Sequence, residues 1–551
     1  MNNLKKVVIV GGVAGGASCA ARLRRQREDL EILLLDRGKY VSFANCGLPY
    51  YVGEVITKEK KLLVATPALF QERFNIQVRV ETEVLSIDRA KKQLSVKDLA
   101  SGKTYTESYD ALVLSPGAKP IKPPLPGVDL PGIFTLRNIP DSRHIREWIK
   151  EKNVKEALVV GGGFVGLEMA ENLVHKGLHV TLLEMSSQVM PPLDPEMAEA
   201  VHERLRQRDV DLKLNDGAAS FEQIPTGLIV TTKSGLQIKA GMVILAIGVR
   251  PENTLAKEAG LELGPMGGIK VDDEMRTQDP SIYAVGDAVE VKTLPLGVTR
   301  LIPLAGPANR MGRIAADVIA GKPRKFRGVQ ATAVCGIFGL TAAMTGESEK
   351  SLKAAGFTNF APIFLHPGHH VAYYPDARPI MIKLLFDKTN GKVLGFQAVG
   401  EEGVEKRVDV VSAILQMGGT VFDLEEAELC YAPQYGAAKD PVNVAGMIAS
   451  NVMRGDLELA HWSGVQPSSD KVILDVRDPA EYQAGHLPEA INIPLNDLRS
   501  RLGELPKDKE IWVNCRVGQR SYYATRVLLQ NGFKARNLPG GYLSYLKIYA
   551  S

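Results

Sequence analysis

Cysteine is scarce in this chain: there are five among 551 residues. An odd number at irregular spacing makes no disulfide framework, and no two of them form a CxxC knuckle of the kind that holds structural zinc. The expectation is a reducing, cytoplasmic setting and no metal. Long apolar runs are missing too. None approaches the roughly 18 residues of a membrane span, and no signal-peptide core precedes the first apolar strand, which argues against a membrane partner. An excess of one charge is also absent. The 67 basic residues nearly balance 63 acidic ones, for a net +4, so nothing global calls for nucleic acid.

Glycine is abundant, with 52 residues, and its placement is informative. The apolar run Val7 to Val10 leads directly into Gly11-Gly12-Val13-Ala14-Gly15-Gly16 and then an Ala- and Arg-rich helical stretch. A strand, glycine turn and helix of this kind seats a pyrophosphate on the helix N-terminus. About 20 residues further the apolar run Ile32 to Leu35 ends in Asp36, placed to accept a ribose hydroxyl. Val13 replaces the middle glycine of the GxGxxG pattern. The pattern returns in stricter form at Gly161-Gly162-Gly163-Phe164-Val165-Gly166, with Val180 to Leu183 ending in Glu184. A second dinucleotide site is expected there. An acidic residue at that strand end suits the two ribose hydroxyls of NADH, while Met185 to Gln188 offers no arginine for a 2′-phosphate, so NADPH is disfavoured.

A third piece is the apolar strand from Ile282 that ends in Gly286-Asp287. With Ser115-Pro116-Gly117 and Ala246-Ile247-Gly248, it resembles the two-dinucleotide-binding flavoproteins of the pyridine nucleotide-disulfide oxidoreductase family. The resemblance implies FAD in the first fold, with Gly11, Gly16 and Asp36 toward its ADP half and Asp287 toward its ribityl chain. NADH then belongs to Gly161, Gly163, Gly166 and Glu184. The implied fold is α/β: an FAD-binding domain in two parts, 1–115 and 246–325, around a nested NAD-binding domain at 116–245.

The paired CxxxxC of the glutathione-type reductases is absent. In its place stands one cysteine, Cys46, in Ser42-Phe43-Ala44-Asn45-Cys46-Gly47, at the start of an expected helix whose dipole and free N–H groups would lower its pKa. The run resembles the single-cysteine branch: NADH peroxidase, NADH oxidase and coenzyme A disulfide reductase. Peroxidases and oxidases carry a histidine where this chain has Ala14. A Cys46 sulfenate would lack that proton donor, so the oxidase or peroxidase reading becomes the alternative. Coenzyme A disulfide reductases bring tyrosines from the partner subunit, and Tyr373 and Tyr431 stand in matching places. A phenol can protonate a departing thiolate. Coenzyme A is polyanionic, and Arg22 and Arg25 lie one helical turn apart. The same resemblance adds Ser18, Ser42, Asn45 and Lys439 as coenzyme A contacts.

Strand-like runs such as Ile380 to Leu385 and a helical stretch from Lys406 to Met417 describe an α+β interface domain over 326–452, implying a homodimer, with Cys335 and Cys430 expected as packed thiols. A polar linker is expected from His461 to Asp470. Beyond it, over 463–551, the runs Val472 to Asp478, Glu481 to Pro488 and Ala490 to Pro494 resemble a rhodanese domain of α/β fold, with its active loop at Cys515 to Arg520 opening into a helix. The loop's N–H groups and Arg520 are expected to stabilise a Cys515 thiolate or persulfide. A protein tyrosine phosphatase would place its arginine where Ser521 stands, so the tighter loop favours sulfane sulfur over phosphate. The whole resembles fusions of coenzyme A disulfide reductase with rhodanese, acting on coenzyme A persulfide or disulfide, or on polysulfide.

Overall fold

The structure is a computed structural model that describes residues 4–466 and 468–549; the first residues of the leader reading and Pro467 of the expected linker lie outside the described residues. The chain divides into two compact units, one of residues up to 189 together with 209–331, the other of 190–208 and 332 onward.

The first unit holds two five-stranded parallel sheets. One is ordered Ile282–Ala284, Ala111–Leu114, Lys6–Val10, Glu31–Leu35, Gln77–Arg79. Val7 to Val10, Ile32 to Leu35 and Ala111 to Leu114 are apolar and buried, in one core with Cys19, Ala20 and Leu23 of the first helix and with Val84, Ile87, Leu94 and Val96. The strand Ile282–Ala284 arrives from beyond the second fold and pairs with Ala111–Leu114, which is how one fold comes to be nested in the other. The second sheet runs Asp211–Lys213, His179–Leu183, Glu156–Val160, Met242–Leu245, Ile133–Phe134.

In the second unit a five-stranded antiparallel sheet carries the helix Val404–Gln416. The helix Pro195–Gln207, inside the stretch read from sequence as NAD-binding, belongs to this unit. Lys383 is one tie between them. Its ammonium is 1% exposed and pairs with Asp194, Glu196 and Glu349, so the three carboxylates converge on a cation the chain itself supplies. Such a buried charge is tolerable only when fully paired.

The same unit contains a four-stranded parallel sheet ordered Ile491–Asn492, Lys471–Asp475, Glu510–Asn514, Lys534–Asn537. The expected linker before it is not a tether. Ala460, Trp462 and Val465 are buried with Ile473, Leu487, Trp512 and Leu538, and the Trp462 indole donates to the Pro539 carbonyl at 3.1 Å. Polar neighbours hid one large aromatic anchor, and an indole with a hydrogen-bond partner buries well.

Candidate functional site

Cys46 sits in a short 3-10 turn, Asn45–Gly47, ahead of the helix Leu48–Val52. The turn is held by Ser42, which adopts φ +46° while its N–H donates to the Gly12 carbonyl at 2.7 Å. This ties the thiol to the first glycine loop. Cys46 is exposed, and its neighbour Asn45 keeps a buried Oδ1 with no hydrogen-bond partner among the described residues. An orphaned buried acceptor is a costly feature that a bound group would relieve.

The surroundings of Cys46 act against the expected lowering of its pKa. Although Cys46 is exposed, partial desolvation pushes its thiol up, and the negative charges of Glu168 and Asp287 push the same way, against a smaller opposing effect of its own backbone N–H. One short turn provides little dipole, and two carboxylates outweigh it. Glu168 was not anticipated from sequence. Burial, then the neighbouring Glu171, raise its carboxyl to about 7, against a hydrogen bond with Tyr50. Asp287 is also raised, by burial, with Arg137 opposing.

The two glycine loops repeat one construction. In the first, Asp36 accepts from Gly12 N at 2.8 Å and from Gly38 N at 2.7 Å; in the second, Glu184 accepts from Gly162 N and Ser186 N, both at 2.7 Å. Each carboxylate therefore braces its own loop and retains further lone pairs for a ribose. Helix and strand meet at Gly16 and Gly166, where an added Cβ would lie 1.8 Å from Gly11 O and 1.9 Å from Gly161 O. Gly163 differs, with nothing within 4 Å of its Cβ position, an open approach at the helix start. Val13 takes the corresponding place in the first loop.

Of the expected coenzyme A contacts, Arg22 is already engaged: its Nε donates to the buried Asp317 at 2.7 Å. The sequence pattern showed two arginines on one face but not the carboxylate on the helix Ala305–Ile319 facing one of them. Arg25 is exposed at the end of the helix Ala14–Arg24, and Ser18 Oγ donates to the Asn309 carbonyl at 3.2 Å.

In the second unit Tyr373 and Tyr431, 75% and 46% exposed, are joined by a 2.8 Å hydrogen bond between their hydroxyls. That bond raises the pKa of Tyr431, so the phenol stays protonated. A buried arginine aligns the two loops. Arg407 donates to the His369 carbonyl at 2.7 Å, before Tyr373, and to the Asp440 carboxylate at 2.8 Å, after Tyr431. Lys439 is exposed beside Asp440. Cys335 is buried as expected, but Cys430 is exposed, in the irregular segment before Tyr431.

Cys515 is buried at the base of its loop, accepting from Gly518 N at 3.1 Å and contacting Ser521 Oγ at 3.3 Å. The helix starts at Gln519, inside the expected loop. Arg520 lies close enough to Cys515 for its charge to be felt there. Its guanidinium forms a bidentate pair with Glu481, at 2.7 and 2.8 Å, because a planar carboxylate is the better match for the fork.

A model of the pyridine nucleotide-disulphide oxidoreductase family matches residues 5–312, and a model of that family's dimerisation domain matches 332–440. The chain belongs to this family. A rhodanese-like domain model matches 462–547. The chain is 35% identical over 452 residues to the coenzyme A disulfide reductase of Staphylococcus haemolyticus, covering 82% of this chain and 100% of that protein. The crystal structure of reduced Bacillus anthracis CoADR-RHD superposes with a TM-score of 0.96 at 46% identity, covering 100% of this chain and 99% of that one. An NAD-dependent persulfide reductase from A. fulgidus gives 0.90 at 37%, covering 98% of this chain and all of that one.

Like its family, this oxidoreductase works with FAD and a nicotinamide nucleotide, and the glycine contacts with the braced Asp36 and Glu184 fit such groups. Among the described residues no helix is long and apolar enough to cross a membrane.

Proposed function

We propose that this oxidoreductase uses NADH to reduce the S–S bond of coenzyme A disulfide or persulfide, or of polysulfide, at Cys46, while Cys515 carries sulfane sulfur. The observation that carries this reading is the exposed Tyr373–Tyr431 pair, a ready proton donor on the dimerisation domain. In a homodimer it serves the partner's thiol. Cys46 attacks one sulfur of the substrate, forming a mixed disulfide and expelling a coenzyme A thiolate, or hydrosulfide from a persulfide. Tyr373 or Tyr431 supplies the leaving group's proton. FAD, once held by this chain, would supply the two-electron relay from NADH needed to restore the Cys46 thiolate and free the second thiol. Ser18, Arg25, Ser42, Asn45 and Lys439 hold the coenzyme, with Arg22 acting through its pair with Asp317. Gly11, Gly16, Asp36 and Asp287 hold the flavin nucleotide; Gly161, Gly163, Gly166 and Glu184 hold NADH. Arg520, paired with Glu481, shapes the mouth of the Cys515 loop.

The alternative, oxygen or peroxide reduction through a Cys46 sulfenate, finds no proton donor at Ala14. Mass spectrometry of the protein treated with coenzyme A disulfide without NADH decides between them. One coenzyme A adduct on Cys46, released on adding NADH, is the expected result; an unmodified Cys46 together with rapid peroxide turnover contradicts it.

A further inference from the structure

The mouth of the Cys515 loop carries charges of both signs. Arg520, in the first turn of the helix Gln519–Gln530, is felt at the sulfur, yet Glu481 of the helix Pro479–Gln483 takes both ends of its guanidinium at 2.7 and 2.8 Å. Asp478, which caps that second helix, lies 3.6 Å from the same guanidinium and is largely exposed. The hydrogen bonds from Arg520 hold the Glu481 carboxyl below its ordinary range, so Glu481 is a full negative charge at neutral pH. The acidic helix is fixed in place. Buried Arg477 pairs with Asp475, at the end of the strand Lys471–Asp475, and donates to the Gly485 carbonyl just past that helix, both at 2.7 Å. Exposed Arg516 is the other charged residue of the loop. Two carboxylates therefore offset two guanidiniums, and the groups that touch the sulfur are uncharged: the Gly518 N–H at 3.1 Å and the Ser521 hydroxyl at 3.3 Å.

We propose that Glu481 is a specificity residue: by occupying Arg520 it fits the Cys515 loop to thiol persulfides, whose reacting end bears at most one charge, and turns away dianionic sulfane-sulfur donors such as thiosulfate. The inference rests on Cys515 carrying sulfane sulfur. A free guanidinium at this place would draw a dianion in, whereas a bidentate carboxylate cancels that charge and repels the incoming one. The transfer itself is the same for either donor. The outer sulfur passes to Cys515, the donor's S–S bond breaks, and the bonding pair leaves on the inner sulfur as a thiolate or as sulfite. Cys515 is oxidised to the persulfide as the donor is reduced.

The test is the rate at which Cys515 of the full-length holoenzyme gains a persulfide, read by mass spectrometry after alkylation, from thiosulfate and from N-acetylcysteamine persulfide. It is run on wild type, Glu481→Gln, Glu481→Asp and Asp478→Asn. Loading from thiosulfate should rise about tenfold in Glu481→Gln while loading from the persulfide changes less than about twofold, and added salt should shrink the gain. Glu481→Asp should keep the wild-type preference. Asp478→Asn keeps a helix-capping side chain while removing one charge, and should raise thiosulfate loading about threefold. It decides the matter if Glu481→Gln does not fold. Thiosulfate loading unchanged in the variants that still load from the persulfide overturns the role of Glu481 and leaves the sulfane-sulfur reading standing. If neither donor loads Cys515 in wild type, that reading falls and the inference with it.

Discussion

The hydroxyls of Tyr373 and Tyr431, 58 residues apart in sequence, lie 2.8 Å from each other on exposed loops. One phenol in such a pair can donate to the other while the other donates outward, so the two act as one proton source. Tyr373→Phe and Tyr431→Phe should each lower kcat/KM for coenzyme A disulfide by about ten- to a hundredfold, and the double variant should be little worse than either. Steady-state kinetics of the three variants checks this; strictly multiplicative losses would show two independent roles.

Glycine contacts separate a folding role from a binding role. Gly166→Ala forces a Cβ to within 1.9 Å of a backbone oxygen, so it should lower the melting temperature and deplete the folded protein. Gly163→Ala meets nothing within 4 Å. It should melt like wild type and yet raise KM for NADH, measured by thermal denaturation and kinetics side by side.

Acid should loosen the second unit through His366. Its Nε2 contacts Ser544 Oγ at 3.0 Å, and burial first, then the charge of Lys547, push its pKa down to about 4 from an ordinary 6.5. The unfolded chain therefore binds a proton below about pH 6.5 while the folded chain resists until about pH 4, so stability falls as pH drops through that window. Two and a half pH units set an upper bound of about 3 kcal/mol. Melting temperatures between pH 7 and 4 should fall less steeply for His366→Gln than for wild type.

Much of this was legible in the sequence, for reasons that differ by element. The glycine loops announce themselves because backbone proximity at Gly16 and Gly166 tolerates no side chain, and the apolar strands because their residues are buried. Tyr373 and Tyr431 were readable as a pair only through family resemblance; their hydrogen bond depends on Arg407, whose neighbours His369 and Asp440 are 38 and 33 residues distant. Long-range charge was the least legible feature. Nothing near Arg22 or Cys46 in sequence announces Asp317 or Glu168, and Glu481 claims Arg520 from a different helix. Trp462 shows the same limit for packing: a polar stretch reads as a linker until its one indole is found in a core.

The most direct test of the account is anaerobic NADH oxidation driven by coenzyme A disulfide and by coenzyme A persulfide, in wild type, Cys46→Ser and Cys515→Ser. Wild type and Cys515→Ser should oxidise NADH with both substrates, and Cys46→Ser with neither. Turnover by Cys46→Ser at the wild-type rate, or a requirement for oxygen in wild type, would contradict the assignment of Cys46 as the thiol that breaks the S–S bond.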